Sequence, residues 1–146
     1  MSHEVRELRP EEIGLAFEAM RALRSHIEDP EEFADRVNRV QRPEGYRLVA
    51  ALPAGGGPAV AVAGFRVTHS LVDGRHLYVD DLSTLADARR QGLAGRLMTW
   101  MREEAERLDC NSLQLDSAVG PARTDAHRLY FNQGLAISAF HFERAL

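Results

Sequence analysis

The run Arg89-Arg90-Gln91-Gly92-Leu93-Ala94-Gly95-Arg96 constrains this chain more than any other segment, because it lies between a strand-like stretch and a long amphipathic helix. Small residues at 92, 94 and 95 let the backbone bend tightly and let its N–H groups approach a ligand closely. The helix that follows directs its positive dipole end and its unpaired N–H groups at the same point. Arginines at 89, 90 and 96 add positive charge. Together these features describe a cradle for a pyrophosphate and point to a ligand such as CoA or a nucleotide. The plainer reading of the same residues is a tight connection carrying a solvated basic patch.

Two other phosphate-binding designs fit less well. A dinucleotide fold wants Gly-x-Gly-x-x-Gly inside a βαβ unit with an acidic ribose ligand further on. Here the strands before the loop are joined by hairpins and the glycine spacing differs. A P-loop is excluded by the missing Gly-Lys-Ser/Thr. A net charge of −4 provides no basic face for nucleic acid.

The 146 residues suffice for one domain, 1–146, with a sizeable core. Cys110 is the only cysteine, so no intrachain disulfide forms, which fits a reducing compartment; its expected role is that of a small buried hydrophobe. The segment Met1 to Arg6 is charged and has no apolar run, unlike a signal peptide. No stretch approaches the ~20 apolar residues that cross a bilayer. The expectation is a soluble, cytoplasmic protein with no membrane or nucleic-acid partner. The histidines at 3, 26, 69, 76 and 127 lack ligand spacing, so no metal site is expected.

Hydrophobic periodicity sets the order of elements. A short edge strand holds Val5 and Leu8 and ends at Pro10. Ile13, Phe17, Met20, Leu23 and Ile27 recur at helical spacing. Asp29-Pro30-Glu31-Glu32 supplies an N-cap, a first-turn proline and first-turn acids for a second helix, buried through Phe33, Val37 and Val40. Strands follow over Tyr46 to Leu52, Ala59 to Thr68 and His76 to Thr84, the last two joined at Asp73-Gly74 by a turn of the primed type. A helix over Leu93 to Leu108 carries an apolar stripe of Leu93, Leu97, Trp100, Met101 and Leu108. Then come a short strand over Ser112 to Asp116, a helix over Asp125 to Gln133 closed by Gly134, and a last strand over Ile137 to Phe142.

Three stretches in this order share a pattern. Arg89-Arg90-Gln91-Gly92-Leu93-Ala94 matches Arg/Gln-x-x-Gly-x-Gly/Ala. The strand Tyr78-Val79-Asp80-Asp81-Leu82-Ser83-Thr84-Leu85 precedes it, and Ala126-His127-Arg128-Leu129-Tyr130 with Gly134 is similar to Ala-x-x-Phe-Tyr-x-x-x-Gly-Phe. The chain thereby resembles the GNAT superfamily of acyl-CoA-dependent N-acyltransferases across essentially its whole element order.

The resemblance implies an α+β fold: a mixed, mostly antiparallel twisted sheet of six to seven strands with four helices, splayed between strands 4 and 5. Acetyl-CoA would lie in the resulting notch as acyl donor. Its pantetheine arm would pair with the backbone of Leu82, Ser83 and Thr84, and its pyrophosphate would sit on Arg89, Arg90, Gln91, Gly92, Leu93, Ala94, Gly95 and Arg96. Arg123 stands where many members carry an asparagine that contacts CoA; it could reach the cofactor or an acidic group of the acceptor.

The implied reaction moves an acetyl group to a primary amine of a small molecule or protein by direct attack in a ternary complex. Tyr130 matches the family's general acid, with a core tyrosine as its plainer reading. The base is open among Asp80, Asp81, Asp116 and His141, and each has a structural reading as strand end or half-buried strand residue. A backbone N–H near Leu82 to Thr84 would hold the oxyanion. Glu28, Asp29, Glu31 and Glu32 would tolerate a cationic acceptor, although acids at a helix start have a local reason to be there. The alternative is a non-catalytic acyl-CoA-binding sensor or regulatory module. Pairing of the terminal strand Ile137 to Phe142 with a second copy, giving a homodimer, is left open.

Overall fold

A computed structural model describes residues 2–146. Strands β1 (His3–Glu7), β2 (Tyr46–Pro53), β3 (Ala61–Ser70), β4 (Gly74–Thr84) and β5 (Ser112–Leu115) form one sheet in sequential order. The first four are antiparallel and β5 runs parallel to β4. Helices α1 (Phe17–Leu23), α2 (Pro30–Arg36), α3 (Leu93–Arg107) and α4 (Thr124–Asn132) flank it.

The alternation along β2 shows why the sheet is covered on both sides. Leu48, Ala50 and Leu52 face a core built with Ile13 from the segment before α1, Phe17 and Met20 from α1, Phe33 from α2 and Val37 just after it. Val49 and Ala51 face the opposite core, with Phe65, Leu77, Leu93, Leu97 and Met101 beneath α3. A strand buried on both faces reads as a continuous apolar run, which is how Leu48 to Leu52 is written.

Most helix boundaries follow local chemistry. The Asp29 carboxylate accepts the Glu32 N–H at 2.8 Å, and Pro30 takes the first position of α2, as expected. Gly134 closes α4 in a left-handed conformation (φ +84°). The first helical stripe divides into a 3-10 segment, Pro10–Ala16, and then α1.

The structure corrects three expectations. The sheet has five strands among the described residues, not six or seven. The segment 136–146, expected to hold a strand over Ile137 to Phe142, carries no regular structure. The β3–β4 hairpin is not a two-residue primed turn: three residues, 71–73, link Ser70 to Gly74, and only Gly74 is left-handed (φ +66°). A three-residue loop followed by a left-handed glycine satisfies the same strand twist.

A charged knot ties β1, β2 and α3 together. Arg47 donates to Glu7 at 2.6 Å and also to Glu104, while its guanidinium lies over the Phe65 ring. Arg107 donates to Glu104 at 2.7 Å. Only 8% of the Glu104 side chain is exposed, and the Arg107 hydrogen bond, reinforced by Arg47 and opposed by desolvation, holds its carboxyl at about 2. The folded value lies below the unfolded one, so this stabilisation is present above the usual glutamate range and is lost as pH falls toward about 2. Glu104→Gln is expected to cost about 1–2 kcal/mol at neutral pH. Urea unfolding of both proteins should show that gap closing as pH falls toward about 2; a gap independent of pH would mean the loss comes from packing instead.

Candidate active site

Two features of β4 build the site. Its pairing with β5 runs only from His76 opposite Ser112 to Val79 opposite Leu115. On its other side β4 stays paired with β3 as far as Thr84 opposite Ala61. The edge from Asp80 to Thr84, which includes Leu82 and Ser83, is therefore left open where β5 departs. The register also shifts at this point, since Gly64 faces Asp81 and Phe65 faces Val79, which leaves Asp80 as a bulge. A bulge bends and twists its strand, and here it coincides with the parting of the two strands.

The connection from this edge into α3 turns sharply at two left-handed residues. They are Arg90 (φ +65°) and Gly92 (φ +74°), the latter immediately before the first turn of α3. The first helical bond of α3 is Arg96 N–H to Gly92 O at 3.1 Å. The N–H groups of Leu93, Ala94 and Gly95 precede it and have no place in the helical ladder. Gly92 has no side chain to fill the space and no side-chain cap competes for these donors. A groove of about 380 Å³ opens beside Gly92, Gly95, Arg96 and Gln133.

The arginines separate on inspection. Arg89 lies along the open strand end, with Nε 3.4 Å from the Thr84 carbonyl. Arg96 donates to the His3 carbonyl at 2.9 Å, tying α3 to β1. Gln91 sits exposed at the mouth of the loop beside Arg90.

Helix α4 lies over the start of α3. A Cβ placed on Gly95 would stand 3.5 Å from Gln133 Nε2, and Leu129 packs on the core beneath α3. One turn before Gln133, Tyr130 is half-buried, and that burial raises its phenol above the usual range; the positive charge of Arg123 opposes the rise. Arg123 Nε is itself buried with no partner among the described residues.

The acidic candidates fall into different surroundings. Asp80 takes a bidentate pair from Arg66, both contacts 2.8 Å, and Arg66 also covers the Tyr78 ring. Asp116 stands just past β5, and burial, reinforced by the Asp116 carboxylate, pushes the Tyr78 phenol up to about 12. His141 lies 2.9 Å from the same carboxylate.

Asp81 stands apart because it lines a cavity of about 560 Å³ between α1, α2 and β4, together with Met20, Arg24, Glu28, Glu32 and Tyr46. Its Oδ2 accepts from the Tyr46 hydroxyl at 2.6 Å and its Oδ1 from Arg24 Nε at 3.0 Å. Arg24 also donates to the Asp80 carbonyl, gripping the bulge. Burial, followed by the charge of Asp81, raises the Tyr46 phenol well above the ordinary range, so it stays a donor. Sequence reasoning missed Tyr46 and Arg24. The signal was Gly64, a glycine in the middle of a strand: a Cβ there would stand 1.8 Å from the Tyr46 oxygen.

Cys110 is half-buried and desolvation raises its thiol, the opposite of what a nucleophile needs. Among the described residues no cluster of three His, Cys, Asp or Glu could hold a metal, and no helix is long and apolar enough to cross a membrane.

Comparison with known proteins assigns the chain to a family. The family described as Acetyltransferase (GNAT) matches residues 12–135. An uncharacterized N-acetyltransferase, YhdJ of Bacillus subtilis, is 30% identical over 135 residues, covering 92% of each chain. The crystal structure of an acetyltransferase from Trypanosoma brucei superposes with a TM-score of 0.83 at 16% identity, over 99% of this chain and 100% of that one. AAC(6')-Iy, solved in complex with a bisubstrate analog of CoA and acetylneamine, superposes with a TM-score of 0.78 at 16% identity, over 99% and 100%. This chain belongs to the GNAT family of acetyltransferases.

Proposed function

We propose that the protein transfers an acetyl group from acetyl-CoA to a primary amine held in the cavity between α1, α2 and β4. The observation that carries the reading is the stretch Asp80–Thr84, which belongs at once to the open strand edge, to the approach to the cradle, and, through Asp81, to the cavity. A donor paired along that edge would present its thioester to whatever the cavity holds.

The cradle fits a pyrophosphate through backbone donors at Leu93, Ala94 and Gly95 and through the space that Gly92 leaves. Arg89 and Arg90 supply the charge, while Arg96 serves β1. Arg123 is better placed to act on Tyr130 than to stand in for an asparagine on CoA. The lone Cys110 fits a reducing compartment such as the cytoplasm.

The amine nitrogen attacks the thioester carbonyl carbon, and the carbonyl oxygen takes up negative charge near the free N–H groups of the β4 edge. The C–S bond then breaks, Tyr130 gives its phenolic proton to the departing thiolate, and the nitrogen loses its extra proton to water or a carboxylate. Asp81 reaches the cavity from β4, held there by Arg24 and Tyr46, and its remaining lone pairs can accept from an amino group. Glu28, Asp29 and Glu32 on the same wall favour a cationic acceptor.

Thermal unfolding in the presence of acetyl-CoA, CoA, ATP and NADH tests the donor site. A concentration tenfold over Kd should stabilise the fold by about 1.4 kcal/mol, for acetyl-CoA and CoA alone. A panel of amines with free-thiol detection then tests transfer. Equal shifts with ATP or NADH, or none with CoA, would overturn the donor assignment; binding without turnover on any amine would favour a sensor.

A further inference from the structure

Along β4 the side chains change faces out of step. Leu77 and Val79 pack on the core beneath α3, and so does Leu82, which follows Val79 by an odd number of positions. A strand alternates strictly, so an odd step needs one extra residue. That residue is Asp80, at the register shift where Gly64 faces Asp81 and Phe65 faces Val79. The bulge therefore decides which side of β4 each residue from Asp81 to Thr84 presents, and a slip of one would turn them all over.

The bulge is held from outside the sheet. The Arg24 guanidinium reaches it from the end of α1, 57 positions away in sequence. There the Arg24 main chain is fixed, its N–H donating to the Met20 carbonyl at 2.8 Å. Nη2 donates to the Asp80 carbonyl at 3.0 Å, and Nε donates to Asp81 Oδ1 at 3.0 Å. One planar fork thus spans both residues at the irregularity, taking the main chain of one and the carboxylate of the other. The Asp80 carboxylate is occupied separately, by Arg66 of β3.

We infer that Arg24 is a positioning residue for the acetyl donor: it holds the β4 bulge in the form that offers the open edge Leu82–Thr84 to the pantetheine arm. The inference rests on the reading of that edge as the donor site. Arg24 acts through the Asp80 peptide, so its loss should disturb the strand edge and leave the α3 cradle alone. Its side chain is 43% exposed, and an ion pair this open to water adds little to global stability. Arg24→Ala should accordingly unfold in urea close to wild type, which separates positioning from folding.

Calorimetry with two probes tests the role: acetyl-CoA, and the nucleotide fragment of CoA that keeps its diphosphate but lacks the pantetheine arm. Arg24→Ala should weaken acetyl-CoA roughly tenfold, the worth of one or two main-chain hydrogen bonds. The fragment, which reaches only the cradle, should bind as it does to wild type. Arg24→Lys can take the carbonyl or the carboxylate but has no fork for both, and should fall between. Arg21→Ala, exposed one turn earlier on α1, should match wild type. In the ligand-free protein, amide hydrogen exchange over 80–84 should quicken in Arg24→Ala while that over 93–97 stays as it was. A wild type that binds neither probe would defeat the donor assignment and this role with it. With wild-type binding intact, equal losses for both probes, or unchanged binding and exchange in Arg24→Ala, would overturn the role of Arg24 alone.

Discussion

Tyr130→Phe is expected to lower kcat by about 10²–10⁴-fold, the usual worth of a positioned general acid, while the stabilisation by acetyl-CoA stays unchanged. The change removes one oxygen from a half-buried ring on α4, so neither the helix nor the cradle has reason to move. Burial raises the phenol above its ordinary value, which keeps the proton in place at neutral pH and available to the thiolate; Arg123 pulls the other way by favouring the phenolate left behind. The sign of the pH dependence follows. In the wild type kcat falls on the alkaline side as pH passes the raised phenol value. In Arg123→Ala that limb moves to higher pH, because the influence that lowered it is gone. In Tyr130→Phe the limb disappears. Steady-state rates across pH check all three, and a Tyr130→Phe enzyme within about threefold of wild type would remove the acid role.

What could be read from the residues divides along the distance over which the information acts. The turn into α3 was legible because its cause is local: Gly92 supplies a left-handed residue just before a stripe of Leu93, Leu97 and Met101. The α2 cap at Asp29 and the α4 stop at Gly134 were legible for the same reason. The parting of β5 from β4 after Val79 was available only through resemblance, since no residue near Leu115 announces where its partner strand ends. The bond from Arg96 to the His3 carbonyl spans 93 positions and could not be told from a phosphate contact. The stretch Ile137 to Phe142 carries a strand pattern, yet pattern does not name a partner, and it pairs with no strand among the described residues. Asp80 and Asp81 are neighbours in sequence with different fates: the bulge gives one to Arg66 and turns the other toward Tyr46 and Arg24.

The Tyr46–Gly64–Asp81 arrangement leads to the second large effect. Gly64 faces Asp81 across β3 and β4, and the Tyr46 ring crosses the gap where a side chain at 64 would stand. A Cβ there would lie 1.8 Å from the Tyr46 oxygen and 2.3 Å from the ring carbon bearing it, so the ring must move. Moving it breaks the 2.6 Å bond to Asp81 and disturbs the wall of the cavity. Forcing extra volume into a packed site costs about 1–3 kcal/mol, and a buried hydroxyl left without its partner adds about 1–3 kcal/mol. Gly64→Ala is therefore expected to lose about 2–6 kcal/mol in urea unfolding and to raise KM for the amine while leaving the acetyl-CoA response in place. Tyr46→Phe does not relieve the collision, because the ring carbon still stands too close. Tyr46→Leu does. The double variant Gly64→Ala/Tyr46→Leu should therefore be more stable than the sum of its single losses, by roughly 1–2 kcal/mol of coupling. Strict additivity would mean that the β4 bulge, and not the tyrosine, sets the requirement for glycine at 64.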